Sequence, residues 1–287
     1  MEEIIRVEDL TYIYNQGMPD ETVALDHVSF GVQQGDFVGI IGSTGSGKST
    51  LITHFNGINR PTSGKIYIGG EDMWADPKQI RKFRFQVGLV FQYPEYQLFE
   101  ETVEKDIAFG PKNQKLTEAE INARVNHAME MLGLDAALRE QSPFNLSGGQ
   151  KRRVAIAGVL AMQPDILVLD EPAAGLDPAG RREMLNLIEK IHQSGVTIVM
   201  VSHSMDDVGR YCDRLYVLNH GKIAFEGAPR DVFAHGDELR KIGLDVPECE
   251  TLAERLRDAG IAIDAGAFTP EAMCAQILKA WKKEGAK

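Results

Sequence analysis

Cysteine is almost absent from this chain of 287 residues: only Cys212, Cys249 and Cys274 occur, an odd number with no CxxC spacing. That excludes a disulfide framework and a cysteine-based zinc site, and fits a reducing, cytoplasmic compartment. Long apolar runs are missing as well. The longest uninterrupted stretch, around residues 154–162, falls far short of the ~18 residues that span a bilayer. The opening Met1-Glu2-Glu3-Ile4 has neither a basic n-region nor an apolar h-region, so the chain reads as neither secreted nor membrane-spanning by itself. Positive charge is in deficit too. With 31 basic against 42 acidic residues the formal charge is -11, whereas a nucleic-acid binder needs a basic face that releases counterions from phosphates. Nucleic acid is therefore not the expected partner, although Lys151-Arg152-Arg153 leaves a local basic patch open.

What is present supports one large α/β domain plus a small appendage: 43% of residues are hydrophobic, enough for a substantial core. Alternation over residues 4–7 and 23–32 reads as early strands, and residues 37–41 form a short apolar strand entering a glycine-rich turn. A helix from Lys48 to about Asn56 follows, then the turn Arg60-Pro61-Thr62-Ser63-Gly64 and a strand over 65–68. From Thr102 to Met162 the pattern is helical, with Thr117-Glu118-Ala119-Glu120 as a capping box and Gly133 as the stop. The β/α rhythm resumes with buried strands at 166–169 and 196–201, separated by a helix beginning near Pro178. After Gly227-Ala228-Pro229 helices are expected over 251–258 and, behind the Thr269 cap and Pro270, over 271–283. The expected domains are residues 1–230, with a helical insertion over about 92–162, and a small helical unit over 231–287.

Gly42-Ser43-Thr44-Gly45-Ser46-Gly47-Lys48-Ser49-Thr50 matches G-x-x-x-x-G-K-[ST] between a predicted strand and a predicted helix, the context a phosphate-binding loop requires. Its backbone N–H groups would converge on phosphate oxygens at a helix N-terminus, Lys48 would supply a point charge, and the Ser49 hydroxyl would ligate Mg²⁺. Ile166-Leu167-Val168-Leu169-Asp170-Glu171 is an apolar strand ending in two acids, and period two sends adjacent side chains in different directions. Asp170 is then placed to hold the Mg²⁺ shell and Glu171 to polarise an attacking water as general base.

Leu146-Ser147-Gly148-Gly149-Gln150, about twenty residues before the acidic strand end, resembles the signature that separates ABC ATPases from other P-loop proteins. Physically, Ser147 caps the following helix, so its hydroxyl, the Gly148 and Gly149 amides and the helix dipole form a second anion site that includes Gln150. The resemblance implies a P-loop ABC core with an antiparallel β subdomain and a helical signature subdomain. It also implies a head-to-tail dimer in which the P-loop of one subunit and the signature of the other clamp one ATP. Gln92 stands where the family's Q-loop glutamine contacts Mg²⁺ and senses a membrane partner, Asp177 resembles the D-loop aspartate, and His203 the switch histidine near the γ-phosphate. His203 follows the strand ending at Val201, at the carboxyl edge where open α/β sheets bind ligands. Tyr14 fits the register of the adenine-stacking aromatic better than Tyr12, and either also reads as a packing residue.

The stretch from Phe91 and Gln92 through Tyr93, Tyr96, Leu98 and Phe99 to Asn113, with His54-Phe55-Asn56-Gly57, resembles the A-component ATPases of energy-coupling-factor (ECF) transporters over the whole chain. Within that family the likeness is to the second of two paralogous A subunits. The resemblance implies a second ATPase subunit, paralogous or identical, a transmembrane T component, and S components that bind vitamins, with related complexes importing cobalt or nickel. Read on their own, Tyr93, Tyr96, Leu98 and Phe99 interleaved with Glu95, Glu100 and Glu101 suit a groove for a partner's helix and basic side chains. Three readings stand beside this one: the ATPase of an ordinary ABC importer or exporter, an ATPase acting on DNA or ribosomes, and a catalytically silent cassette. The chain has neither a coiled-coil insertion nor a tandem cassette, and it retains Glu171, His203 and the signature.

Overall fold

The computed structural model of the chain describes residues 3–284. Strands β1 (Glu3–Tyr14) and β2 (Thr22–Gln33) pair antiparallel, and their alternation buries Ile5, Val7 and Leu10 from one strand with Leu25, Val28 and Val32 from the other. The chain then leaves this sheet for β3 (Phe37–Gly42), whose six residues are all buried, and turns into α1 (Lys48–Phe55). It returns through β4 (Ser63–Ile68) and β5 (Glu71–Asp72) to complete a four-stranded sheet of order β2-β1-β4-β5.

After α2 (Ile80–Gln86) and β6 (Val87–Val90) the helical stretch comprises α3 (Val103–Asn113), α4 (Glu118–Met131) and α5 (Gly148–Leu160). Both α4 and α5 open on reciprocal capping boxes, Thr117 with Glu120 and Ser147 with Gln150. The sheet resumes with β7 (Ile166–Asp170), followed by α6 (Pro178–Gln193), β8 (Thr197–Val201), α7 (Met205–Tyr211), β9 (Arg214–Asn219) and β10 (Lys222–Gly227). This six-stranded sheet has the order β10-β9-β3-β8-β7-β6 and is parallel except for β10. Its central strands bury both faces, which is why their sequences are continuous apolar runs. Leu167 and Leu169 join the core under the helices, while Ile166 and Val168 join the core shared with α1 and the antiparallel sheet.

His54, on α1, is wholly buried beside that second core, against its Tyr12. Its Nδ1 lies 2.7 Å from the Thr50 carbonyl oxygen and its ring stands edge-on to Tyr12 at 4.7 Å. Burial pushes the imidazole down to about 4 against the pull of the Thr50 hydrogen bond. Between pH 6.5 and about 4 the unfolded chain carries a proton that the folded chain refuses, so stability is lost as the pH falls through this window and is unaffected by His54 above it. The expected contribution is on the order of 3 kcal/mol at the acid end. A His54→Leu variant should therefore lose less stability than the parent between pH 7 and 4.5 in urea unfolding, whatever its stability at pH 7; identical pH slopes would sink this account.

Beyond β10 come α8 (Pro229–Phe233), α9 (Gly236–Lys241), α10 (Glu248–Asp258) and α11 (Pro270–Glu284). Val232, Phe233, Leu239, Leu244 and Val246 pack into the core under the helices, whereas Ala253, Ile263, Ala267 and Met273 form a small cluster of their own with Leu256 and Ile277 against it. Phe268 packs on the first of these, edge-on to Phe233 at 5.4 Å. Leu252, at helical spacing from Leu256 on α10, is 42% exposed. Residues 1–2 and 285–287, the outermost of the two expected domains, lie outside the described residues.

Candidate nucleotide-binding site

The loop between β3 and α1 runs over the carboxyl edge of the parallel sheet. Gly47 takes a φ of 106°, and a β-carbon there would stand 2.6 Å from the Ala24 carbonyl oxygen, so glycine is demanded both by conformation and by the approach of β2. Lys48 Nζ donates to the carbonyl oxygens of Gly42 at 2.7 Å and Ser43 at 2.9 Å, folding the side chain back along the loop. Burial lowers its pKa, opposed by Glu171 and Asp170.

A cavity of about 440 Å³ opens over this loop, lined by Thr44 to Thr50 and by Tyr14, Gln92, Asp170, Glu171 and His203. Tyr14 is 40% exposed, with its hydroxyl 3.0 Å from Thr50 Oγ1 and its ring edge-on to Tyr12 at 4.8 Å. Tyr12 is the more buried of the two and packs against the antiparallel core. Burial raises the Asp170 carboxyl, and a hydrogen bond from Ser49 counteracts it. These are oxygen donors around a phosphate loop, the chemistry a hard cation accepts.

Glu171 follows the last residue of β7 with a φ of 50°, held by its N–H donating to the Val201 carbonyl oxygen at 3.0 Å. Burial, then the adjacent Asp170, push its carboxyl up to about 7 against the pull of Lys48. Its Oε1 is buried without a hydrogen-bond partner and lies 3.5 Å from His203 Nε2. Burial and then Lys48 hold His203 below its ordinary pKa, so at neutral pH this contact joins a neutral imidazole to a half-titrated carboxyl and is no full ion pair.

The signature residues lie elsewhere. Gln150 N donates to Ser147 Oγ at 3.3 Å and Ser147 N to Gln150 Oε1 at 3.0 Å. A second cavity, of about 750 Å³, is lined by Ser147, Gly149 and Gln150 with Leu134, Arg153 and Gly180 among others. No residue lines both this cavity and the one over the P-loop. Asp177 caps α6, accepting from Gly180 N at 2.7 Å, beside the signature cavity.

Three expectations are corrected here. Leu98, read as exposed, is buried under α3, leaving Tyr93, Tyr96 and Phe99 at the surface. Glu95, read as free for a partner, forms a two-pronged ion pair with Arg152, Nε at 2.9 Å and Nη2 at 2.6 Å. The run Lys151-Arg152-Arg153 makes no basic patch, since Arg152 is buried on Glu95 and Arg153 pairs with Glu183 at 2.7 Å. Arg181 and three residues of β2 escape a sequence reading. Arg181 pairs with Asp207 at 2.6 Å and lines a cavity that Glu171 and His203 share, and Thr22 to Ala24 wall the P-loop cavity. Only the helical register of Arg181 one turn after Asp177 carries any hint of this.

Residues 25–174 match the family described as ABC transporter. The energy-coupling factor transporter ATP-binding protein EcfA2 of Caldanaerobacter subterraneus subsp. tengcongensis is 54% identical, with 96% of each chain covered. The solved structure of cbiO1 from Clostridium perfringens, part of the ABC transporter complex cbiONQ, superposes with a TM-score of 0.76 at 41% identity, covering 88% of this chain and 100% of that one. The ATP-binding cassette MJ0796, solved as a dimer in a post-hydrolysis state bound to ADP and Pi, gives 0.70 at 29% identity over 79% of this chain and 99% of its own.

Proposed function

This chain belongs to the ABC transporter family, among the energy-coupling factor transporter ATP-binding proteins, and from that premise we propose that its two half-sites serve two different ATP molecules in a dimer. It is an ATP-binding subunit whose ATP hydrolysis is coupled to transport. The observation that carries the proposal is the separation of cavities: the P-loop and the signature share no lining residue, so one chain does not bring both onto a single nucleotide. The other subunit is a paralogue or an identical copy, and residues 231–287 are a small appended domain beside the ATP-binding unit.

In this reading Tyr14 stacks on adenine, the amides from Gly42 to Gly47 and Lys48 receive the β- and γ-phosphates, and Thr50 steadies Tyr14. Mg²⁺ would be held by Ser49, Asp170 and Gln92, and would neutralise charge on the phosphate oxygens. Glu171 accepts the proton of the attacking water, and His203 holds the γ-phosphate side of the cavity. The partner's signature residues close the opposite side, and Asp177 stands between the two sites. Closure and reopening of the pair then move the segment after Gln92.

Among the described residues no helix is long and apolar enough to cross a membrane, and in this reading the membrane component is a separate polypeptide. A groove lined by Phe85, Leu98, Phe99, Phe109, Val154 and Met162, with Phe99 and Phe109 at 59% and 47% exposure, supports docking of that T component at the membrane's cytoplasmic face. Glu100 and Glu101 flank it, while Glu95 is occupied by Arg152. S components supply substrate recognition, for vitamins or comparable micronutrients, cobalt and nickel included. Placing aspartate at both Phe99 and Phe109 is expected to cut recovery of small integral-membrane proteins with the tagged chain by about tenfold or more, a loss of ~1.4 kcal/mol or more, with ATP affinity unchanged. Undiminished recovery, measured by mass spectrometry, would remove the groove from the interface.

A further inference from the structure

Arg152 sits on the signature helix α5, one turn beyond the cap, with a side chain only 3% exposed. None of its charge serves the helix itself. Nε and Nη2 grip the Glu95 carboxylate at 2.9 and 2.6 Å, and Nη1 donates to the carbonyl oxygens of Pro172 at 3.2 Å and Ala174 at 2.7 Å. The guanidinium also lies 5.9 Å from the Tyr93 ring centre. One buried side chain thus touches three segments far apart in sequence: the turn after Gln92, the helix capped by Ser147, and the loop directly after Glu171. Tyr93 and Glu171, both non-glycine, hold left-handed φ values of 54° and 50°, conformations that persist only where surroundings enforce them.

We infer that Arg152 is a positioning residue that locks the Gln92 turn, the signature helix and the Glu171 loop into one unit, so that none moves without the others. Filling space on α5 requires only volume, whereas this fork spends its donors on exactly the two segments that flank the nucleotide cavity. The inference rests on the assignment of Glu171 as the base. It adds an intrachain link between the half-site that holds ATP and the half-site offered to the partner.

Removing Arg152 alone would strand the Glu95 charge in a buried position and threaten folding, whereas replacing both members of a buried ion pair by apolar residues is often tolerated. The full-length chain carrying Arg152→Met together with Glu95→Leu is therefore the test, with Arg152→Lys beside it to keep the charge and lose the fork. Expected for the double variant are amide exchange about tenfold faster over residues 92–97 and 172–177, unchanged exchange in β8, and ATP turnover down about tenfold with KM within about twofold. Arg152→Lys should show the faster exchange over 172–177. Wild-type exchange in both segments, or wild-type kcat in a double variant that folds, overturns the inference. If turnover instead ignores Glu171→Gln, the base assignment has failed, and the nucleotide-free exchange measurement still decides whether Arg152 holds the segments together.

Discussion

Replacing Glu171 by glutamine is expected to lower ATP turnover by ~10²- to 10⁴-fold while ATP continues to bind. Glutamine keeps the size and shape of the side chain and removes its capacity to take a proton. The position is prepared for that proton: the carboxyl is buried, its Oε1 has no hydrogen-bond partner, and burial with the Asp170 charge brings it to about 7. A carboxyl at its ordinary pKa would be a weaker base, and a fully buried unpaired one would stay protonated at neutral pH. The direction with pH follows. The base acts only when deprotonated, so kcat/KM of the parent should rise with pH and level off above about 7, and the glutamine variant should lose that rising limb. Binding should be kept or tightened, because the variant removes one negative charge beside Asp170 and the phosphates. Single-turnover hydrolysis and equilibrium ATP binding measure the two quantities. Undiminished turnover would move the base elsewhere, and His203, 3.5 Å away, is the next candidate.

The parts of this architecture that a sequence displays are those in which cause and effect are neighbours in the chain. The strand, turn and helix around Lys48 are contiguous, the Thr117 and Ser147 caps act on amides three residues on, and the all-buried strands β7 and β8 announce themselves as apolar runs. Leu98 lies just after a short 3₁₀ turn, Pro94–Gln97, where neither period of 2 nor of 3.6 applies, and its burial depends on α3 folding back over it. The pairing of Glu95 with Arg152 spans 57 positions, so both charges read as solvent-facing until the fold brings them together. Arg181 becomes relevant to Glu171 only once α6 packs beside α7, where Asp207 receives it. Leu252 shows the reverse: its spacing to Leu256 is helical, yet it stands 42% exposed, outside the small cluster.

Gly149→Asp is expected to leave this chain folded and its own P-loop affinity within about twofold, yet to reduce hydrolysis in the assembled dimer by at least ~100-fold, ~2.7 kcal/mol. Among the described residues nothing requires glycine at this position. Neither Gly148 nor Gly149 has a positive φ, and a β-carbon at either would meet no atom within 4 Å. A side chain there improves helix propensity over glycine by a few tenths of a kcal/mol, and an acid in the first turn complements the helix dipole. Considered alone, the substitution should therefore be neutral or mildly stabilising in thermal unfolding. Its cost falls on whatever occupies the open space in front of the Ser147 cap. If that occupant is the triphosphate of the partner's ATP, a carboxylate placed against it opposes several negative charges at close range, where each pair costs ~4 kcal/mol at an effective dielectric of 20. Gly149→Ala separates the two contributions, since it adds a methyl group without charge and should reduce turnover far less than aspartate does. Weakened P-loop binding in the isolated chain would place the damage within one subunit, and full turnover with aspartate at 149 would remove the signature from the ATP site. On that proposal the signature glycines answer to a ligand held by the partner, whereas Gly47 is explained by Ala24 of the same chain.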